Sequence, residues 1–283
     1  MIRDNLYEPF QILLKEVLDV CPRPEHKHTF FEFVYIVSGS GDQRINQDRY
    51  PYKAGNLFLL TPEDAHCFEI DQPTQFLFIR FNDLYIRSNK LQLTDQERME
   101  FILKNASHQP GCIIRNTADN SIIGPLMEAI VREQENNALY NRELIQQYVN
   151  TLILIVARNI AAGLPEKISE QTEEKALDIL QYIQQHIYQP EKIKAEYISK
   201  HLGISESYLG RYFKKHANET MQQYITNYKL KLIENRLLHS NLRIVEIADE
   251  FGFTDKSHFN RIFKKYRGMN PSEFRKGAIT ERH

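Results

Sequence analysis

The front third of the chain has the short-period apolar pattern of β-strands. Residues 26–37 are rich in aromatic and β-branched side chains, and the glycine-containing segment 38–41 is expected to end this strand. Shorter apolar runs follow at residues 56–60, 66–70 and 75–81, with turn-forming residues between them. Several short strands at close spacing predict a small β-sandwich or barrel.

The apolar pattern changes to a helical period from about residue 121. Leu126, Ile130 and Val131 are spaced for one helix. A second, longer helix is marked by positions three or four apart, namely Leu144, Tyr148, Leu152, Ile155 and Asn159. A stripe of this kind either packs on the barrel or forms the seam of a dimer, so the first four of these residues are candidate dimer contacts.

The remainder of the chain is helical in period, after a polar segment that reads as a linker. We therefore expect an α+β protein with four parts. They are a β-barrel domain at residues 1–120, a helical dimerisation segment at 121–162, a linker at 163–172 and an all-α domain at 173–283.

Two segments of the all-α domain repeat each other. Residues 198–215 and 247–265 both read as a helix, a tight turn and a second helix, and both end in Arg-x-Phe-Lys-Lys. Gly203 and Gly252 allow the positive φ that such a turn needs. Ser205 and Thr254 are expected to cap the helices that follow.

The second helix of each repeat has one apolar face and one polar face. Leu209 with Phe213, and Phe259 with Phe263, lie four residues apart and are expected to face a core. The outward face is then free to enter a major groove, as in helix-turn-helix proteins. A helix predicted over residues 221–239 would span about 28 Å, close to the roughly 34 Å between successive major grooves.

Charge separates the two halves of the chain. Residues 1–172 carry 17 basic and 23 acidic side chains, whereas residues 173–283 carry 19 and 14. The basic back half is the part suited to a polyanion such as DNA. A plain helical bundle with a solvated basic face is the alternative, and two copies of the same motif in the basic half argue against it.

Composition sets the broad class of protein. A hydrophobic content of 42% and a charged content of 26% exclude wholesale disorder. The acidic residues near the N-terminus do not fit a secretory signal, and no apolar run is long enough for a membrane helix. Three widely separated cysteines argue against a disulfide framework, so a reducing cytoplasm is expected.

The second repeat carries a long motif, followed by Gly268 and Pro271, that identifies a family resemblance. It reads Ile247-Ala248-x-x-x-Gly252-Phe253-x-Asp255-x-Ser257-His258-Phe259-x-Arg261-x-Phe263-Lys264-Lys265. Residues from about 176 to 275 resemble the DNA-binding domain of the AraC/XylS family of bacterial transcription regulators. The resemblance implies DNA contacts at Ser207, Arg211, Lys256, Ser257, Asn260 and Arg261, with Gly210 offering no side chain.

The front half contains a set of histidines with one glutamate. His26, His28 and Glu32, with Gly39, fit the first cupin motif, and His66 loosely matches the second. The family often has such a cupin-like sensor domain, which implies a cupin-like β-barrel here. Residues 26, 28 and 32 share parity on a strand and should face one side, together with His66.

These four residues leave three interpretations open. They could bind a divalent transition metal, hydrogen-bond a polar organic effector, or only stabilise the barrel. We expect an organic effector, with no metal and no cofactor.

Together these features predict a cytoplasmic transcription regulator rather than an enzyme. Its expected partners are promoter DNA, a small-molecule effector such as a carbohydrate, a second copy of the chain and, for an activator, RNA polymerase. Two rivals remain: a metal-dependent cupin oxygenase or isomerase with a DNA-binding tail, and a DNA-binding protein whose front half only dimerises.

Overall fold

The chain folds as two compact units, Met1–Pro165 and Glu166–His283, in a computed structural model. The structure describes residues 2–62, 64–82, 85–86, 99–100, 102–108, 111–135, 138–162, 174–217 and 219–280. The expected linker at residues 163–172 lies outside these ranges. None of the described helices combines the length and apolar character needed to cross a membrane.

The first unit is built on one seven-stranded sheet. Its strands are β1 (Ile2–Asp4), β2 (Phe10–Leu14), β3 (His26–His28), β4 (Phe31–Ile45), β5 (Asp48–Lys53), β6 (Leu57–Leu60) and β7 (His66–Phe81). The main order is β1-β3-β7-β4-β5, with β2 also paired to β7 and β6 also paired to β4. The long antiparallel pair of β4 and β7 therefore forms the centre of the sheet in the cupin-like domain.

Strands β4 and β7 are longer than the sequence pattern predicts. The expected strand end at residues 38–41 is wrong, because β4 continues to Ile45 through pairing irregularities between Ile36 and Gly41. Gly39 has φ +91°, and a Cβ there would lie 2.4 Å from the Pro73 carbonyl oxygen. Glycine therefore lets the strand bend beside its neighbour instead of ending it. The two runs expected at residues 66–70 and 75–81 likewise form one strand.

The side chains of β4 alternate between two buried faces. Phe31 and Phe33 lie on one face, and Glu32 and Val34 lie on the other. We call the side that carries Val34 the inner face. It holds a cluster of nine buried apolar side chains, namely Val34, Ile36, Ile45, Tyr50, Tyr52, Phe58, Leu60, Phe68 and Phe76. Burial on both faces explains why the strand reads as a nearly continuous apolar run.

Two long helices with described bounds follow a short 3-10 helix at Asn105–His108 in the first unit. They are α1 (Thr117–Glu135) and α2 (Asn141–Ala161). Asn159 of α2 is buried, and its Nδ2 donates to Asp119 Oδ2 of α1 at 2.7 Å. Its Oδ1 accepts the backbone N–H groups of Arg115 and Asn116, each at 3.1 Å. Asn159 thus joins the two helices within the unit.

The apolar stripe of α2 faces the core of its own unit. Leu152 is 0% exposed and Ile155 is 8% exposed, which corrects their placement on a dimer surface. The exposed apolar side chains of this helix are Leu144 at 38% and Leu154 at 51%, and Tyr148 is half-buried. An amphipathic helix on a single domain turns its apolar face inward first, and sequence alone does not separate that face from a dimer seam.

The second unit is helical throughout its described regular elements. They are α3 (Glu174–Gln185), α4 (Ala195–Leu202), α5 (Glu206–Ala217), α6 (Met221–His239), α7 (Ile244–Glu250), α8 (Lys256–Arg267) and α9 (Pro271–Thr280). The expected central helix is α6, with the bounds that the sequence predicts. Thr220 begins it with a capping box, in which its Oγ1 accepts the Gln223 N–H and the Gln223 side chain accepts the Thr220 N–H.

Candidate DNA-binding surface and effector site

The first helix-turn-helix consists of α4 and α5. Gly203 ends α4 with φ 64°, and Ser205 Oγ then accepts the backbone N–H of Tyr208 at 3.3 Å. Leu209 and Phe213 are buried, as the four-residue spacing predicts. The opposite face of α5 therefore projects into solvent, and it carries the exposed residues Ser207, Gly210 and Arg211.

The second helix-turn-helix consists of α7 and α8. Gly252 has φ 70° in the turn, as expected. The expected cap Thr254 is wrong, because Asp255 Oδ1 accepts the backbone N–H of His258 at 2.7 Å. The helix begins one residue later than expected, and aspartate caps as well as serine or threonine does.

The outward face of α8 matches the sequence prediction in exposure. Phe259 and Phe263 are fully buried. The residues on the other side are Lys256, Ser257 and Arg261, which are exposed, and Asn260, which is half-buried. An outward polar face of this kind is what a helix that enters the major groove requires.

Helix α6 holds both motifs. On the side of the first motif, Phe213 packs against Tyr224 with ring centroids 5.6 Å apart. On the side of the second, Arg236 Nη2 donates to Glu250 Oε1 of α7 at 2.7 Å, and Arg267 of α8 pairs with Glu234. Both recognition helices are thus attached to a single 19-residue helix, about 28 Å long.

The turn glycines give a prediction for stability. A Cβ on Gly252 would lie 2.2 Å from Pro190 Cγ, whereas Gly203 and Gly210 face open space. We expect Gly252→Ala to lower the free energy of unfolding by about 2–4 kcal/mol, through a left-handed backbone and a steric overlap. Gly203→Ala should cost about 1–2 kcal/mol, from the backbone alone.

Gly210→Ala is the matched control, because its glycine lies inside a helix. It should stabilise the chain by about 0.5–1 kcal/mol. Urea unfolding of the full chain carrying each of the three substitutions measures the order of their free energies of unfolding. If Gly252→Ala and Gly203→Ala lowered the free energy of unfolding equally, the close approach of residue 252 to Pro190 would be contradicted.

Three of the four predicted effector residues come together on the inner face of the first unit. Glu32 Oε2 lies 3.9 Å from His28 Nε2 and 3.7 Å from His66 Nε2. All three residues are at most 2% exposed. We call His28, Glu32 and His66 the triad. Histidines 26 and 28 lie on β3 and Glu32 lies on β4, so the prediction of one common strand is wrong although the shared side is right.

The environment of the triad disfavours the charged form of its two imidazoles. Burial lowers the pKa of His28, and it lowers the pKa of His66 well below the ordinary value. Positive charge on His28 or His26 would lower the pKa of His66 further. His28 Nδ1, His28 Nε2 and His66 Nδ1 have no hydrogen-bond partner among the described residues.

Sequence reasoning missed Arg80, which orients the carboxylate of the triad. Its Nε donates to Glu32 Oε1 at 2.7 Å, and its guanidinium lies over the rings of Phe30 and Phe78 at 5.5 and 5.7 Å. The alternation of side chains along β7 could have identified it, because Arg80 lies two and four positions from Phe78 and Phe76 and therefore shares the inner face with them.

His26 lies beside the triad without joining it. Its ring centroid is 4.3 Å from that of His66, but its Nδ1 is 2.9 Å from the Pro24 carbonyl oxygen. Asp64 stabilises the adjacent turn. Its Oδ2 accepts a hydrogen bond from the Thr61 backbone N–H at 2.8 Å, and its Oδ1 accepts one from Asn46 Nδ2. It fixes the turn that leads into His66.

Gln43 is a second polar residue that sequence reasoning missed. It is 0% exposed, and neither its Oε1 nor its Nε2 has a partner among the described residues. Its neighbours across the sheet are Tyr50 and Phe68 of the inner cluster. A buried amide without partners is costly, which makes Gln43 a candidate for binding a ligand.

Comparison with known proteins matches both units. A model of the helix-turn-helix domain matches residues 198–277, and a model of the AraC-like ligand binding domain matches residues 20–153. Among similar proteins, the Msm operon regulatory protein of Streptococcus mutans is 27% identical over 86% of this chain and 82% of its own.

Two further relatives are similar to this chain over most of its length. The HTH-type transcriptional activator RhaS of Enterobacter sp. is 25% identical over 90% of this chain and 88% of its own. The raffinose operon transcriptional regulatory protein RafR of Pediococcus pentosaceus is 28% identical over 86% of this chain and 83% of its own. With a ligand-binding domain ahead of two helix-turn-helix motifs, this chain belongs to the AraC/XylS family of DNA-binding transcription regulators.

Proposed function

We propose that this chain activates transcription at a promoter that it binds through both helix-turn-helix motifs, in response to a carbohydrate. The observation that carries the DNA-binding part is the attachment of α5 and α8 to the single helix α6. A rigid spacer of about 28 Å suits two neighbouring major grooves on one face of DNA. The proposed base or phosphate contacts are Ser207, Arg211, Lys256, Ser257, Asn260 and Arg261.

The carbohydrate part rests on the inner face of the first unit and on the relatives. One relative is named for the raffinose operon. Sugar hydroxyls need several hydrogen-bonding partners, and the inner face supplies buried and half-buried polar groups for them. They are His26, His28, Glu32, Gln43, His66 and Arg80.

We further propose that the chain acts as a homodimer and that the activated form contacts RNA polymerase. The exposed side chains of Leu144 and Leu154 on α2 offer an apolar surface for a second copy. No chemical step is part of the proposal. Binding of the effector would act by favouring one arrangement of the DNA-binding units.

Selection of DNA from a random-sequence library tests the proposed function. The intact chain should enrich fragments that share two conserved blocks about one helical turn apart. Thermal melting with a panel of mono- and oligosaccharides that includes raffinose should then reveal a stabilising sugar. Absence of any enriched sequence would contradict DNA recognition, and absence of any stabilising sugar would contradict the carbohydrate assignment.

Replacement of Gln43 separates a binding role from a structural one. Gln43→Leu removes a buried, unpartnered amide, so the sugar-free protein should gain about 1–3 kcal/mol of stability. The stabilising sugar should lose most of its effect on the melting temperature in this variant, because the amide is then missing from the inner face. A more stable variant with an undiminished sugar response would exclude Gln43 from the effector site.

A further inference from the structure

We propose that the triad of His28, Glu32 and His66 binds a divalent first-row transition-metal ion. This departs from the metal-free expectation of the sequence. It deepens the proposed sensor function, because the ion would form part of the effector site. The proposal rests on the positions of three lone-pair atoms on the inner face.

The spacing of these atoms suits a shared ion better than direct hydrogen bonds. Glu32 Oε2 is 3.7 and 3.9 Å from the two Nε2 atoms, beyond the range of a hydrogen bond. One ligand atom from each residue lies within 4.8 Å of the other two. Ligands at about 2.1 Å from one ion lie up to about 4.2 Å apart, so small shifts bring all three into contact with it.

The electrostatics of the triad call for a cation between its members. Arg80 holds Glu32 Oε1 at 2.7 Å, which leaves Oε2 directed at the two imidazoles. In the tautomers that leave both Nε2 atoms unprotonated, their lone pairs and Glu32 Oε2 converge in a buried site and repel one another unless positive charge lies between them. Arg80 also fixes the carboxylate in one orientation, as an outer-shell partner does at many metal sites.

The surroundings favour a small occupant at this position. Phe30 stacks on the His28 ring at 4.4 Å, and the His26 ring lies 4.3 Å from that of His66. The nine-residue apolar cluster lies on the same inner face. An ion needs only the space between the three ligand atoms.

The ligand types define the class of ion. Two imidazole nitrogens and one carboxylate oxygen suit Zn²⁺, Fe²⁺, Mn²⁺, Co²⁺ or Ni²⁺, whereas Mg²⁺ and Ca²⁺ prefer sites made of oxygen atoms. With three protein ligands, such an ion keeps positions for oxygen atoms from water or from a sugar hydroxyl. The ion would thereby link the triad to the proposed effector.

Metal content of the intact, tag-free chain tests the proposal without DNA or sugar. After chelation and addition of ZnCl₂, elemental analysis should give about one zinc per chain, with a higher melting temperature than the metal-free protein. Glu32→Gln and His66→Gln should each weaken zinc binding at least tenfold. Co²⁺ should give a visible absorption spectrum that the same variants lose.

Two controls keep this experiment decisive. His201→Gln removes an exposed histidine of the second unit and should leave zinc binding unchanged. Glu32→Gln keeps an acceptor for Arg80, so its metal-free form should melt no lower than the metal-free parent. Zinc uptake equal in the parent and in Glu32→Gln would overturn the site, even if DNA binding and the sugar response were established.

Discussion

Replacing Arg261 by alanine is expected to weaken binding of the intact chain to its selected DNA by about 5- to 150-fold, which corresponds to about 1–3 kcal/mol. Arg261 is exposed on the face of α8 opposite the buried Phe259 and Phe263. A guanidinium there can donate two parallel hydrogen bonds to a guanine edge. Titration of labelled DNA at fixed salt concentration measures the loss.

The matched control is Arg132→Ala, which removes an exposed arginine from the first unit. It should leave DNA affinity within about twofold of the parent, since each surface substitution away from an interface has a small effect. A loss confined to the selected sequence indicates a base contact. A uniform loss on all sequences with a smaller salt dependence indicates a phosphate contact. Identical behaviour of the two variants would remove Arg261 from the interface.

Replacement by aspartate is expected to unfold the first unit at Leu152 of α2 but to be tolerated at Leu154, two positions further along the same helix. Leu152→Asp places a carboxylate in a fully buried position and should unfold the first unit, or cost at least about 4 kcal/mol. Leu154→Asp, combined with Leu144→Asp, charges the exposed side of the same helix. That double variant should remain folded and become monomeric.

Circular dichroism melting and analytical ultracentrifugation measure these two outcomes at micromolar concentration. The single change Leu152→Asp serves as the control for burial, and the parent chain sets the dimer reference. A folded Leu152→Asp chain would contradict the core assignment of α2. A double variant that sediments like a dimeric parent would place the dimer contact on another surface.

The second unit was the more predictable part of the chain, because its signals are local. Gly203 and Gly252 mark the turns, and their positive φ angles confirm that these turns need a residue that tolerates a left-handed backbone. The four-residue spacing of Leu209 and Phe213 identifies the core face. The one error there, Thr254 as a cap, is a shift of one residue between two competent capping side chains.

The first unit depends on long-range pairing that the sequence does not reveal. Ile36 and Gln43 are seven residues apart, an odd number, yet both share the inner face. The pairing irregularities between Ile36 and Gly41 reverse the alternation, so a strict period of two misplaces everything after them. This explains why Gln43 was missed.

The resemblance to the cupin motif pointed to the effector residues, and the parity argument that placed them on one side of a common strand partly failed. His28 and Glu32 belong to different strands, but the bend between β3 and β4 returns both to the inner face. Arg80 was missed because its role depends on the register that places it opposite Glu32. Leu152 and Ile155 were misplaced because a core stripe and a dimer stripe have the same spacing.

Hydroxyl-radical footprinting of the intact chain on its selected DNA tests the central claim most directly. Two recognition helices fixed to α6 should protect two patches per protomer, centred about one helical turn apart on one face of the duplex. Inserting about half a turn of DNA between the two patches should abolish binding, because the spacer helix cannot follow the rotation. A single protected patch per protomer, or unchanged affinity after the insertion, would contradict DNA recognition by two motifs held on one rigid helix.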